Sequence, residues 1–344
     1  MEEKPIKSYS VTALGTLMKE LNQPTFRAKQ LAEWLYARHA CSYDEMTNLP
    51  TSLRSTLNQR FPLFAPEIIE RSISQDGTRK YLIRFEDGVL VETVGIPSRD
   101  NQRLTVCFST QAGCPMACAF CATGKEGFVR NLTPGEIVDQ VLVVQEDFGT
   151  RVSNVVGMGQ GEPFLNYDNT LAALHILNDE KLVGIGSRRM SISTCGIIPG
   201  IERFAEEPEQ FTLAISVHSA VQHVRDALMP KVARYSIPDL KRALKHYVQK
   251  TNRRVTLEYL MIRDVNDSEE DLAAFKDFCS GLLCHVNLIA MNKIDASPLQ
   301  PSNKRTIEQW ISALQAQNIE TTLRDSRGSD IAGACGQLKN TFLS

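Results

Sequence analysis

The sequence predicts an α/β protein: a partial (β/α)6 barrel, with a small helical domain and a β-hairpin linker region ahead of it. Three observations carry this. Beyond residue 103, strand-like runs at 104–109, 152–158, 189–194, 211–217, 254–262 and 285–291 alternate with helical patterns. Strand–helix units in series give parallel strands joined by right-handed crossovers. Six such units fall short of the eight that close a full barrel. Ahead of them, residues 8 to about 62 carry helical periodicity, and the stretch from about 72 alternates around an Asp-Gly pair.

The elements follow in order. Leu14, Leu17, Met18 and Leu21 recur at helical spacing, as do Leu31, Leu35 and Tyr36 beside Trp34. The NQPTF link between them holds a proline turn signal. KYLIRFEDG and VLVETVGIP then form a hairpin turned by Asp-Gly. The clearest helix of the barrel region is TPGEIVDQVLVVQEDF, where Thr133 is the N-cap, Pro134 takes the first helical position and Glu136 completes a capping box. The expected division is a helical accessory domain over 1–65, a linker over 66–102, the barrel over 103–335 and a tail over 336–344.

The chain has 344 residues, 42% hydrophobic and 23% charged, ordinary for a soluble globular protein. No apolar run reaches the length of a membrane span, and the charged start MEEKPIKSYS lacks the apolar core of a signal peptide. Nine cysteines, an odd number, then point to a reducing cytoplasm. A net charge of −2 does not advertise nucleic-acid binding, but phosphate binding needs only a local basic face. Lys241, Arg242, Lys245, Lys250, Arg253 and Arg254 form one candidate face, with Arg188 and Arg189 before a strand. A solvated helix face is the competing reading.

Cys114, Cys118 and Cys121 in CPMACAFCATG are spaced C-x-x-x-C-x-x-C. Three thiolates on one loop can hold three irons of a 4Fe–4S cluster and leave the fourth open to a small molecule. This is the arrangement of radical S-adenosylmethionine (SAM) enzymes, and Phe120 matches the aromatic residue they place before the third cysteine. Structural zinc is the second reading, although such sites use four ligands and no second C-x-x-C pair exists here. Unconnected core cysteines are the third.

Barrel chemistry collects where the strands end. The cysteine loop follows the first strand, Gly159-Gln160-Gly161-Glu162-Pro163 the second, Ser193 the third, Ser216 and His218 the fourth, and Asn292 the sixth. The glycines allow close backbone approach to a ligand. Glu162 suits a methionine amino group, while Ser193, Ser216 and Asn292 suit ribose and carboxylate oxygens. Taken singly, each is equally a satisfied strand-end polar group, and His218 reads more readily as structural. Two further cysteines stand apart: Cys107 in the first strand, and Cys335 between small residues in GSDIAGACGQL, a segment suited to a mobile reactive thiol. Cys107 alone reads as a core residue; Cys41, Cys195, Cys279 and Cys284 read as packing residues.

Over essentially its full length the chain resembles the RlmN/Cfr family of radical SAM RNA methyltransferases. The resemblance rests on FRAKQLAEWLY, DGTRKYLIRFEDG, VETVGIP, CFSTQAGCPMACAFCATG, GFVRNLTPGEIVDQV, MGQGEP, SISTCGIIPGI, HVNLIAMN and RGSDIAGACGQL. It implies methylation of an adenine carbon using two SAM molecules. Cys335 would carry the methyl group as S-methylcysteine, Cys107 would resolve the adduct through a transient disulfide, and Glu92 would accept the proton. Gly161, Glu162, Ser193, Ser216, Val217, His218 and Asn292 fall on SAM-contacting positions, and Cys114, Cys118 and Cys121 on cluster ligands. The Arg327-Gly328-x-Asp330-Ile331 form and the Trp34–Tyr36 helix lean towards the RlmN branch. That branch implies C2 methylation of adenosine in 23S rRNA and tRNA by a cytoplasmic monomer, fed by flavodoxin or ferredoxin. Alternatives are Cfr-type C8 methylation, a radical SAM enzyme acting on a peptide or small molecule, and a non-enzymatic iron–sulfur RNA-binding protein.

Overall fold

The computed structural model describes residues 4–292 and 297–338. Most of the expected 336–344 tail therefore lies outside the described residues. The strands are β1 (Glu67–Ile73), β2 (Arg79–Arg84), β3 (Leu90–Pro97), β4 (Leu104–Cys107), β5 (Gln111–Gly113), β6 (Phe128–Asn131), β7 (Asn154–Gly157), β8 (Met190–Thr194), β9 (Thr212–Ser216), β10 (Val255–Met261), β11 (Cys284–Ala290) and β12 (Thr321–Arg324). The α-helices are α1 (Val11–Glu20), α2 (Phe26–Ala32), α3 (Thr51–Arg60), α4 (Ala122–Glu126), α5 (Pro134–Phe148), α6 (Tyr167–Asn178), α7 (Ile198–Phe204), α8 (Gln222–Leu228), α9 (Ile237–Thr251), α10 (Glu269–Cys279) and α11 (Lys304–Gln315).

Ten strands form one sheet in the order β1-β2-β3-β4-β7-β8-β9-β10-β11-β12. From β4 onward every pairing is parallel, so all six predicted barrel strands run the same way. A seventh parallel strand, β12, extends them. Its TTLR sequence holds one aliphatic residue and leaves two of four positions exposed, too little pattern to read as a strand. The hairpin region gains a strand as well. β1 is exposed at six of seven positions and half-buried at the other, so it lacks the alternation that marks β2 and β3. These three strands are antiparallel and join the main sheet where β3 pairs with β4, setting Val94 opposite Cys107.

Of the residues its periodicity marks, the helical domain buries Leu14, Leu17, Met18, Leu31, Leu35 and Tyr36 and leaves Leu21, at the end of α1, half-buried. One π-helical turn over Glu33–Ala37 ends the second helix, and Trp34 Nε1 donates to Asn48 Oδ1 at 2.6 Å. Lys7 anchors this domain to α5 through a 2.7 Å ion pair with buried Asp139. At the start of α5, Thr133 N donates to Glu136 Oε2 at 2.8 Å and Glu136 N returns to Thr133 Oγ1 at 3.3 Å. The buried face of that helix carries Ile137, Val138, Val141 and Val144, each worth about 1.5–3 kcal/mol of apolar transfer.

Most of the basic cluster is engaged within the protein. Lys250 pairs with Glu206, Arg254 with Glu320 and Arg242 with Asp239. Lys241 donates to the Asp277 carbonyl, and Arg253 to the Glu209 and Phe211 carbonyls. Lys250, Arg253 and Arg254 precede β10, at the strand N-termini and so opposite the rim that carries the cysteine loop. These observations favour the solvated-face reading.

Candidate active site

The cysteine loop is held from three sides. Cys114 N donates to the Gly127 carbonyl at 2.7 Å, Ala119 N to Leu228 at 3.0 Å and Ala122 N to Gly336 at 2.8 Å. The G-x-G-E-P turn is pressed against the segment that leads into the loop. A Cβ on Gly159 would lie 2.6 Å from Ser109 Oγ, and one on Gly161, where φ is +104°, would lie 2.6 Å from Gln111 Cβ. The glycines thus admit protein backbone to protein backbone, a closer constraint than the approach of a ligand. Gln160 closes the turn by accepting from Glu92 N at 3.1 Å.

Beyond the strand ends lies a chamber of about 150 Å³. Cys114, Cys118 and Cys121 line it together with Gly161, Glu162, Ser193, Ser216, His218, Asn292 and Cys335. Glu162 is buried; its Oε1 accepts from Phe164 N at 3.0 Å and its Oε2 from Cys195 N at 2.7 Å. Burial pushes its carboxyl upward, and these donors oppose that. Ser193 and Ser216 hydroxyls stand 3.5 Å apart. His218 Nδ1 accepts from Leu260 N at 3.1 Å, and its ring meets Phe120 edge-on at 4.6 Å. Burial first, and Arg225 second, lower its pKa to about 3, so it is a neutral ring with Nε2–H left to donate. The structural reading of His218 and its place on the chamber wall are compatible.

The donor set fits a 4Fe–4S cluster. In the chain alone, burial pushes the Cys114 thiol up to about 12, and the other two thiols push the same way. Cys121 is raised as well, by burial first and Cys118 second. A cationic metal core reverses this by deprotonating its thiol ligands. A lone zinc is a poorer match. Zn–S bonds near 2.3 Å in a tetrahedron put sulfurs about 3.8 Å apart. Among the described residues, the one His, Cys, Asp or Glu trio gathered within 4.8 Å is His175, Glu207 and Glu209, on the opposite rim.

A second cavity, of about 190 Å³, adjoins the chamber. Cys107, Met158, Arg324 and Cys335 line it, and Met158, Arg324 and Cys335 line the chamber too. Cys335 therefore stands in the shared wall. Asn292 Nδ2 donates to its carbonyl at 3.3 Å. Its segment is tied down on both sides. Arg327 Nε reaches Asp76 Oδ2 at 2.8 Å, and Thr123 Oγ1 donates to the Leu338 carbonyl at 2.7 Å. Burial, then the neighbouring Cys335, push the Cys107 thiol up to about 12, and Arg324 opposes this. Arg324 Nη1 donates to Met158 Sδ at 3.1 Å and lies 3.5 Å from Glu258 Oε2.

Two expected residues sit elsewhere. Val217 is buried in the core, and only its backbone is engaged, donating to the Glu258 carbonyl at 3.0 Å. Glu92 lines neither cavity. It shares the β3 face of Val94, which is opposite Cys107, and pairs with Lys80 at 2.9 Å.

Sequence reading missed three neighbours. Cys195, read as packing, lines the chamber with its thiol against Cys118; it follows Ser193 by two residues, and the same strand-end logic reaches it. Glu258 is a buried carboxylate inside the apolar strand VTLEYLM, a visible signal. Arg324 ends a strand that left no pattern.

Residues 108–275 match the Radical SAM superfamily model, and residues 6–63 the model of the ribosomal RNA large subunit methyltransferase N-terminal domain. A protein of Clostridium botulinum named as a probable dual-specificity RNA methyltransferase RlmN is 43% identical, covering 99% of this chain and 97% of that one. A Synechococcus elongatus protein of the same name is 46% identical, covering 97% and 93%. The crystal structure of a radical SAM methyltransferase from Sphaerobacter thermophilus superimposes with a TM-score of 0.90 at 40% identity, covering 98% and 99%.

Proposed function

The chain belongs to the RlmN family of radical SAM RNA methyltransferases, and from that membership we propose that it methylates C2 of adenosine in 23S rRNA and tRNA, using Cys335 as methyl carrier. The observation that carries this reading is the position of Cys335 in the wall shared by the chamber of Cys114, Cys118 and Cys121 and the cavity of Cys107. A thiol there faces the methyl donor on one side and its resolving partner on the other.

Cys114, Cys118 and Cys121 hold the cluster, and Gly161, Glu162, Ser193, Ser216, Val217, His218 and Asn292 hold SAM, Val217 through its backbone. When bound, the cluster supplies the electron that cleaves SAM reductively. The remaining work falls to the chain. Cys335 as thiolate attacks the methyl carbon of one SAM: the Cys335 sulfur–carbon bond forms as the sulfonium–methyl bond breaks, and S-adenosylhomocysteine leaves. After that methyl loses a hydrogen atom to the 5′-deoxyadenosyl radical released from the second SAM, its carbon bonds to adenine C2, and the adduct gives up its unpaired electron to the one-electron couple that cleaved SAM. By its match to the family's acceptor position Glu92 takes the C2 proton, although it lines neither cavity and pairs with Lys80. Cys107 as thiolate then attacks the Cys335 sulfur, the sulfur–methylene bond breaks with its electron pair passing to the adenine-bound carbon, which takes up a proton to become methyl, and a disulfide remains for an external reductant to open. Arg324 keeps a fixed positive charge beside both thiols.

No helix among the described residues is long and apolar enough to cross a membrane. With an RNA substrate, we place the enzyme in the cytoplasm as a monomer, served by a flavodoxin- or ferredoxin-type donor. Nucleoside mass spectrometry of 23S rRNA and tRNA from host cells with and without the gene tests the reading. 2-Methyladenosine that depends on the gene, and vanishes with Cys335→Ala, is expected. 8-Methyladenosine would assign the Cfr-type reaction instead.

A further inference from the structure

Arg225 on α8 is 1% exposed, the largest of the fully buried side chains among the described residues. A guanidinium stays charged in a protein, and a charge out of water is costly unless it is paired and hydrogen-bonded. Arg225 has little of either. Its Nη2 donates to the Cys195 carbonyl at 2.7 Å, but Nε and Nη1 have no hydrogen-bond partner. The neighbouring Asp226 accepts from Gln222 at 2.7 Å. Asp226 is the carboxylate that offsets the Arg225 charge, and Cys195 and Cys118 add to it only as thiolates.

Two contacts tie this arginine to the cysteine loop. The Leu228 carbonyl, at the end of the same helix, accepts from Ala119 N between Cys118 and Cys121. Cys195, whose carbonyl Arg225 holds, turns its thiol against Cys118. A Cβ on Gly196, where φ is +93°, would come within 3.0 Å of Arg225 Nη2, so the turn after Cys195 is shaped to admit the guanidinium. An oxidised 4Fe–4S core with three thiolates has a net negative charge, and accepting an electron doubles it. Nε and Nη1 have no hydrogen-bond acceptor and Asp226 is engaged by Gln222, so the cluster anion adds a counter-charge beside Cys118.

We propose that Arg225 is a positioning residue for the iron–sulfur cluster, its guanidinium supplying the positive charge at the Cys118 corner that favours the reduced state. This rests on the cluster reading of Cys114, Cys118 and Cys121. It assigns the arginine no contact with RNA.

The test is an EPR-monitored reductive titration of the reconstituted full-length chain, without SAM or RNA, as wild type, Arg225→Lys and Arg225→Met. At a fixed potential, Arg225→Met should show a reduced-to-oxidised ratio about tenfold below wild type, a shift of about 59 mV for a one-electron couple. Arg225→Lys, which keeps the charge, should stay within about threefold. A wild-type potential in iron-loaded Arg225→Met, or a lysine variant displaced as far as the methionine one, would overturn the proposal. Should Arg225→Met load no iron, loading by Arg225→Lys supports the charge argument, and failure of both variants as folded proteins overturns it. A wild-type chain without iron removes the cluster itself, a failure that the iron assay separates from the others.

Discussion

Replacing Gly161 with alanine tests whether the G-x-G-E-P turn is a packing device that aims the cysteine loop. At φ +104° an L-residue is strained, which costs about 1–3 kcal/mol. The added Cβ would also sit 2.6 and 2.8 Å from Gln111 Cβ and Cγ and 2.8 Å from Gln111 N. Of these, Cβ and N are fixed by the backbone and cannot rotate away, so overpacking adds about 1–3 kcal/mol. The expected loss is about 2–6 kcal/mol, a large fraction of the total for a folded domain, about 5–15 kcal/mol. Relief by shifting β5 would endanger two 2.8 Å bonds, Glu162 N to Gln111 Oε1 and Gln111 Nε2 to Asn131 Oδ1. It would also displace Cys114, three residues along the chain from Gln111. Urea unfolding of the cluster-free chain, with iron analysis after reconstitution, reads both effects. Gly15→Ala is the control: it lies inside α1 with nothing within 4 Å of its added Cβ, and should be neutral or stabilising by about 0.5–1 kcal/mol. If Gly161→Ala loses under about 0.5 kcal/mol and loads iron fully, the turn does not position the loop.

Cys118→Ala should lose the three-cysteine ligand set, and with it the brown chromophore, about four irons per chain and all SAM cleavage; recovery of one zinc per wild-type chain after anaerobic reconstitution would refute the cluster. Cys107→Ala should accumulate RNA bound covalently through Cys335, seen on a denaturing gel and removed by nuclease, whereas full turnover without an adduct would return Cys107 to a strand residue. His218 is neutral when folded, with a pKa near 3, against about 6.5 unfolded. The unfolded chain therefore binds the extra proton, so this stabilisation is present above pH 6.5 and is lost as pH falls towards 3, at up to about 1.4 kcal/mol per pH unit. In urea titrations His218→Gln should flatten that slope; an unchanged slope would show that the ring is protonated in place. Lys250→Gln with Arg254→Gln, which breaks ion pairs to Glu206 and Glu320, should leave the salt slope of RNA binding within about 0.5, because neither side chain meets a phosphate; a drop near 2 would restore the RNA-face reading.

Local information was legible along the chain. Cysteine spacing names a ligand set because three thiols on one short loop meet whatever the fold around them. Strand–helix alternation fixes parallel order, and parallel order sends Glu162, Ser193, Ser216, His218 and Asn292 to one rim. The Thr133–Glu136 capping box is a matter of four consecutive residues. Elements without an apolar pattern stayed hidden: β1 is almost wholly exposed and β12 holds one aliphatic residue, and both are strands because the sheet edge beside each offers unpaired backbone. Packing alone decided the rest. It set Cys335 in a wall between two cavities, brought Cys195 against Cys118, and turned Glu92 towards Lys80 rather than into either cavity. It also joined the basic residues near β10 to carboxylates and carbonyls. Sequence periodicity records which face of an element is buried, but the partner of a buried polar group comes from a distant segment, and only the folded chain sets the distances that decide whether a cysteine is a ligand, a carrier or a filler.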